Sequence, residues 1–263
     1  MIQFKKLAIA GAIAASIMGA TAAEAHVSYN RNDILANGNS LAGPWSAGAP
    51  AYTGNLPATW VANVHHYNDT LVVSTAHANT TYANSGNPLI IETFNNKWNP
   101  ANSWGNALDF GLINLETAGN LTIKVEADAS LGSTFLPGFT LWEGWDATST
   151  SSRHGSWNAN PTNPGTRGST TISYVGYAST SGSDNGLDYS YDNIAKAVEI
   201  TFTGLSAGKY SLWIGGNGTG NTSVGQQYVA SITSTVPVPG ALWLFGSAVA
   251  GLIGFGRKSK IAA

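Results

Sequence analysis

Val198-Glu199-Ile200-Thr201-Phe202-Thr203-Gly204-Leu205-Ser206-Ala207-Gly208-Lys209-Tyr210-Ser211-Leu212-Trp213-Ile214 decides the fold class. Val198, Ile200 and Phe202 alternate with Glu199, Thr201 and Thr203. Successive side chains of a strand point to opposite faces, so this pattern makes one apolar and one polar face. Gly204 to Gly208 turns the chain, and Tyr210, Leu212 and Ile214 answer on the return strand. The apolar face of such a hairpin needs a second layer to cover it.

The same pattern recurs on either side. Leu121, Ile123 and Val125 alternate with Thr122, Lys124 and Glu126, after a turn at Ala118-Gly119-Asn120. Phe139 and Leu141 alternate with Thr140 and Trp142, and Tyr228, Ala230 and Ile232 form the last strand. Further strands are expected at 59–66, 70–76, 88–94 and 170–178. In 108–115 the apolar positions Leu108, Phe110 and Leu112 give way to Ile113 and Leu115, a register shift that predicts a bulge near Gly111. Residues 26–57 read poorly, and 147–168 reads as a long loop of Ser, Thr, Asn, Pro and Gly. No amphipathic helix longer than two turns and no repeat period is visible. The expectation is an all-β protein, an antiparallel β-sandwich of jelly-roll-like form.

Asp109-Phe110, Leu121-Thr122-Ile123, Phe139-Thr140-Leu141-Trp142-Glu143-Gly144 and Leu205-Ser206-Ala207-Gly208-Lys209-Tyr210-Ser211-Leu212 follow in that order. Together they resemble the bacterial pre-peptidase C-terminal sandwiches over about 105–234. Asp109 and Phe110 are adjacent where that family spaces them by one residue, and Trp142 stands where it has Tyr. The resemblance implies a fold and an accessory or adhesive module without catalysis, so it transfers no catalytic residues.

The two ends read as address labels. Lys5 and Lys6 precede an apolar run over 7–20, and Ala23-Glu24-Ala25 is an A-x-A cleavage site, so residues 1–25 read as a signal peptide and His26 as the mature N-terminus. At the other end, Pro237-Val238-Pro239-Gly240 is followed by an uncharged apolar run over 241–256 and then Arg257-Lys258-Ser259-Lys260. As a helix that run is roughly 24 Å long, and the basic residues would hold it from the cytoplasmic side. This tail, 236–263, resembles the PEP-CTERM sorting signal, with Val238 in place of the usual Glu. The resemblance implies a transmembrane helix, processing by an exosortase-type membrane protease, and delivery to the cell surface or the extracellular matrix. The body is then 26–235.

Without the basic residues of the two ends, seven basic residues remain; without Glu24, thirteen acidic ones do, so the body carries about −6. Nothing basic is clustered, which gives nucleic-acid binding no electrostatic footing. The absence of cysteine removes thiol catalysis, iron–sulfur clusters and thiolate zinc sites.

Four chemistries remain to be placed. Trp142, Trp145 and Trp157 flank the 147–168 loop and could stack on sugar faces of an exopolysaccharide. A mature His26 could chelate copper through its amine and ring, with His66 or His77 as a second imidazole. Asp184-Asn185-Gly186-Leu187-Asp188 and Asp192 offer oxygen ligands to calcium, without the bidentate Glu of an EF-hand. A secreted hydrolase would need either an acid pair among Glu92, Asp109, Glu116, Glu126, Glu143 and Asp146, or Ser206 as the nucleophile of Gly204-Leu205-Ser206-Ala207-Gly208. That elbow requires a following helix, and 209–215 alternates as a strand. The leading expectation is a non-enzymatic exported protein with a structural or carbohydrate-binding role. Surface metal binding and a secreted hydrolase are the alternatives.

Overall fold

The computed structural model describes residues 26–30, 58–65, 67–81, 89–94, 98, 109–145, 172–218 and 225–235. The signal segment 1–25, the sorting tail 236–263, His66, Asp146, Trp157 and the 147–168 stretch lie outside the described residues. No helix among the described residues is long and apolar enough to cross a membrane.

The strands are β1 (His26–Tyr29), β2 (Ala58–Val64), β3 (Thr70–Val73), β4 (Glu92–Phe94), β5 (Asp109–Leu115), β6 (Gly119–Ala127) and β7 (Pro137–Glu143). They continue as β8 (Ser173–Ser179), β9 (Gly182–Asp184), β10 (Leu187–Asp192), β11 (Ala197–Leu205), β12 (Gly208–Gly216) and β13 (Gly225–Thr235). One short helix, α1 (Thr75–Thr81), follows β3. One sheet has the order β1-β2-β5-β12-β7-β8-β9, and the other has β10-β11-β6-β13-β3 with β4 also paired to β13. All pairs are antiparallel except β2 with β5. The expected all-antiparallel sandwich is thus corrected at one pair.

The main core lies between the sheets. β6 supplies Leu121, Ile123 and Val125, β11 supplies Val198, Ile200 and Phe202, and β12 supplies Tyr210, Leu212 and Ile214. β6 alternates buried and half-buried residues along its whole length, as its sequence reads. β11 and β12 are the expected strands, but they do not pair: β11 lies in one sheet and β12 in the other, so the expected hairpin is corrected to a turn that crosses between the sheets, with Ser206 in it and a strand rather than a helix after it. The geometry of a nucleophile elbow is therefore absent at Ser206.

The seven-stranded sheet differs from expectation because both of its faces are covered. Its outer face carries a second apolar cluster that includes Phe110, Leu112, Trp98, Trp142 and Trp213. Phe110 and Leu112 face this cluster, while Ile113 and Leu115 face the main core. The apparent register shift in β5 is therefore two buried faces, not a bulge. The irregularity lies on the partner strand, between Ala58 and Trp60 of β2. Gly111 has a separate reason: a Cβ there would lie 2.0 Å from the Trp60 ring.

Candidate metal centre

β1 and β2 pair with His26 opposite Asn63. Val27 and Tyr29 go into the main core with Trp60, Ala62 and Val64. By alternation His26, Asn63 and His65 share the other, outer face. The parallel pairing of β2 with β5 sets Asn63 beside Asn114 and Val64 beside Leu115, which brings Glu116 next to His65. The Glu116 N–H donates to the Val64 carbonyl at 3.0 Å and fixes that register.

The result is a polar row across three strands. The His26 and His65 rings stack with centroids 5.4 Å apart and planes 29° apart. Nδ1 of His65 meets Oε1 of Glu116 at 2.8 Å, with the His65 side chain 12% and the Glu116 side chain 47% exposed. Nε2 of His26 lies 3.3 Å from Nδ2 of Asn63, and the Asn114 amide donates to Asn63 Oδ1 at 3.4 Å. Two imidazoles on one ion, each nitrogen about 2.0 Å from it, place their centroids roughly 4.5–6 Å apart. The observed spacing is in that range. No group of three His, Asp or Glu side chains among the described residues is placed to hold an ion.

His77, paired with His26 in the sequence reading, is elsewhere. It sits on α1, and its Nδ1 is 2.7 Å from the Tyr29 hydroxyl. Tyr29 is a core residue, so His77 lies behind β1 while His26 lies in front of it. Burial lowers the His77 pKa and raises that of Tyr29. The partner that the fold gives His26 is His65. The sequence reading offers His66 or His77 in this role; β2 ends at Val64, and by alternation the outer-face position next after Asn63 is His65.

The tryptophan surface is also corrected. Trp142 is completely buried and Trp145 is 8% exposed. Trp142 packs edge-on to Tyr174 with centroids 5.4 Å apart. The Trp145 indole N–H donates to the Ile113 carbonyl at 3.1 Å, and Lys209 Nζ lies 4.4 Å from its ring centroid. Neither ring presents a stacking face to a sugar, because the outer face of the sheet is itself a core. Trp157 lies outside the described residues.

The calcium loop is a turn between strands. The Asp184 carboxylate accepts from the Tyr174 hydroxyl at 2.6 Å and the Tyr177 N–H at 3.0 Å. Asn185 and Asp188 adopt positive φ. Asp192 accepts from the N–H groups of Ile194 and Ala195 at 2.7 and 3.1 Å, closing the β10–β11 turn. These carboxylates shape the backbone, as Asp and Asn do in turns.

The acids considered for hydrolysis are divided between the sheets. Glu126 pairs with Lys124 at 2.7 Å on β6. Asp109 is enclosed in the core, where the Thr59 and Tyr228 hydroxyls and the Phe110 N–H all donate to its carboxyl. Burial raises its pKa against the opposing effect of those bonds.

No family model matches the chain, and no curated protein matches it. Among solved structures, CorA, a surface-associated copper-binding protein of Methylomicrobium album BG8, is 15% identical; the likeness covers 54% of this chain and 91% of CorA at a TM-score of 0.33. The pre-peptidase C-terminal domain of a Bacillus anthracis collagenase is 12% identical, covering 70% of this chain and all of that domain at 0.30. The secreted protein MopE of Methylococcus capsulatus, in which an oxidized tryptophan facilitates copper binding, is 14% identical, covering 74% and 92% at 0.33. Overlaps of this depth fix neither topology nor ligand for the present chain.

Proposed function

We propose that the protein is an exported cell-surface protein that binds a divalent transition-metal ion at the N-terminal corner of its seven-stranded sheet. The observation that carries this reading is the stacking of His26 and His65 at 5.4 Å on one face of β1 and β2. Imidazole nitrogen suits copper, zinc and nickel, while oxygen-loving calcium and magnesium gain little from it. Glu116 at Nδ1 of His65 is the kind of carboxylate that orients a ligating histidine toward a metal through its other nitrogen. Delivery rests on the two ends: the A-x-A site before His26, and the tail of Pro237, Val238, Pro239 and Gly240 with Arg257, Lys258 and Lys260, read by an exosortase-type membrane protease. A carbohydrate-binding role loses the two rings that the interior takes up, Trp142 and Trp145.

The test is equilibrium dialysis of the exported protein against copper, zinc and calcium, with metal counted per chain. About one transition ion per chain is expected, reduced in His65→Gln, whose melting temperature should stay near that of the native chain. Equal metal uptake by His65→Gln, or uptake of calcium alone, contradicts the reading.

A further inference from the structure

We propose that one end of the sandwich docks on a lipid surface through two apolar turn tips, Ile194 and Leu131. The proposal does not rest on the metal-binding reading above. Ile194 is 95% and Leu131 50% exposed. Ile194 lies in the turn between β10 and β11, and Leu131 in the single 3-10 turn Ala129–Leu131 between β6 and β7. β11 and β6 pair with Ala197 opposite Glu126, and the Ala127 N–H donates to the Lys196 carbonyl at 3.3 Å. The two turns therefore leave the same end of the six-stranded sheet, from neighbouring strands.

Each tip is held by its own backbone. Asp192 Oδ1 accepts from the N–H groups of Ile194 and Ala195 at 2.7 and 3.1 Å, and Lys196 closes the turn at φ 52°. Asp128 Oδ1 accepts from the Ser130 N–H at 3.1 Å, and Gly132 closes that turn at φ 72°. The build is the same in both: an aspartate caps the turn, a left-handed residue ends it, and an apolar side chain stands at the crown. Such crowns normally carry Gly, Asn, Asp or Ser. A β-branched isoleucine gains nothing from the turn there and gives its apolar surface to water. A single exposed apolar side chain needs no explanation; two, on adjoining turns of one build, point to a common contact.

The partner follows from area and charge. A stable protein interface takes roughly 800 Å² from each side, far more than an isoleucine and a half-exposed leucine supply. A lipid surface sets no such minimum, because each side chain that leaves water contributes in proportion to its own area. The charges at the turns are mixed: Asp128 and Asp192 are the caps, and Lys196 Nζ meets Asn193 Oδ1 at 2.8 Å. With about −6 on the body, this end suits a zwitterionic surface and not an anionic one. β13 pairs Tyr228 with Ala127 at the end that carries the tips and Thr235 with Asn120 at the other. From Tyr228 to Thr235 the strand runs about 23 Å. The tips are thus at the end remote from any bilayer entered by a helix over 241–256.

The chain has no cysteine, so one introduced cysteine takes one nitroxide spin label. Ala195→Cys reports on the tip and leaves Ile194 in place; Ser206→Cys, in the turn at the other end of β11, is the control, and both positions are exposed. The full exported chain, labelled at one position or the other, is mixed with excess phosphatidylcholine vesicles. Electron paramagnetic resonance reads collisions of the label with oxygen, which concentrates in lipid, and with a nickel chelate, which stays in water. On adding vesicles the Ala195 label should gain oxygen and lose nickel collisions, and the Ser206 label should change in neither. Ile194→Ser with Leu131→Ser should lower the lipid-contacting fraction about tenfold or more, the scale for leaving two apolar side chains in water. The melting temperature should stay near that of the native chain, because both side chains are at the surface. An Ala195 label that stays in water overturns the proposal, and so does one that enters lipid equally in both backgrounds or together with the Ser206 label. An Ala195 label shielded from both colliders without vesicles, in a concentration-dependent way, shows that a second copy of the chain covers the tips and overturns the lipid partner.

Discussion

Asp109 is enclosed between the sheets, with its carboxyl held by Thr59, Tyr228 and Phe110, while Trp60 Nε1–H donates to the Tyr228 oxygen at 3.0 Å. Burial holds its pKa above the ordinary carboxylate value. The unfolded chain gives up this proton at the ordinary value, and the folded chain keeps it to higher pH. Stability from this group is therefore complete below the ordinary pKa and is lost as pH rises through the raised one. Asp109→Asn keeps the shape and removes the titration. Denaturant midpoints measured from acid to neutral pH should fall less steeply in the variant; identical slopes would mean that Asp109 is not the buried proton carrier. Trp142 gives a second prediction at this scale. Trp142→Ala should cost about 3–5 kcal/mol, the range for truncating a buried aromatic. A change within about 0.5 kcal/mol, read by urea titration, would return the ring to the surface.

Among the elements, β5 shows why some of the fold was legible and some was not. β6 and β11 could be read because they alternate apolar with polar residues, whereas the crossing of the chain from one sheet at β11 to the other at β12 could not, because two one-sided strands joined by a turn read as a hairpin. β2 is buried at every position and β5 at all but one, so alternation does not separate their faces. The same second core hid the fate of Trp142 and Trp145, since a ring opposite an apolar face reads as exposed when only one face is assumed to be covered. His65 was legible only through pairing: the register of β1 on β2 sets it beside His26, and no spacing in the sequence carries that information. The close approach of β2 to β5 gives the element-scale prediction. Gly111→Ala puts a methyl 2.0 Å from the rigid Trp60 ring and should cost about 1–3 kcal/mol or more. Gly208→Ala, with nothing within 4 Å of its Cβ, should stay within about 0.5 kcal/mol. Equal effects in thermal melts would contradict the packing of Trp60 against β5.

At the scale of the whole molecule, the first strand starts one residue after an A-x-A site and the last strand ends at Thr235, two residues before Pro237. Both sheets are built from strands between those limits. We propose that this sandwich is what remains after both ends have been processed on export. Intact-mass measurement of the protein recovered from the surface of its native cells tests it most directly. The account predicts a chain that starts at His26 and ends near residues 237–240. A chain that still carries Met1, or one that ends at Ala263 and is found only in the membrane, would contradict it.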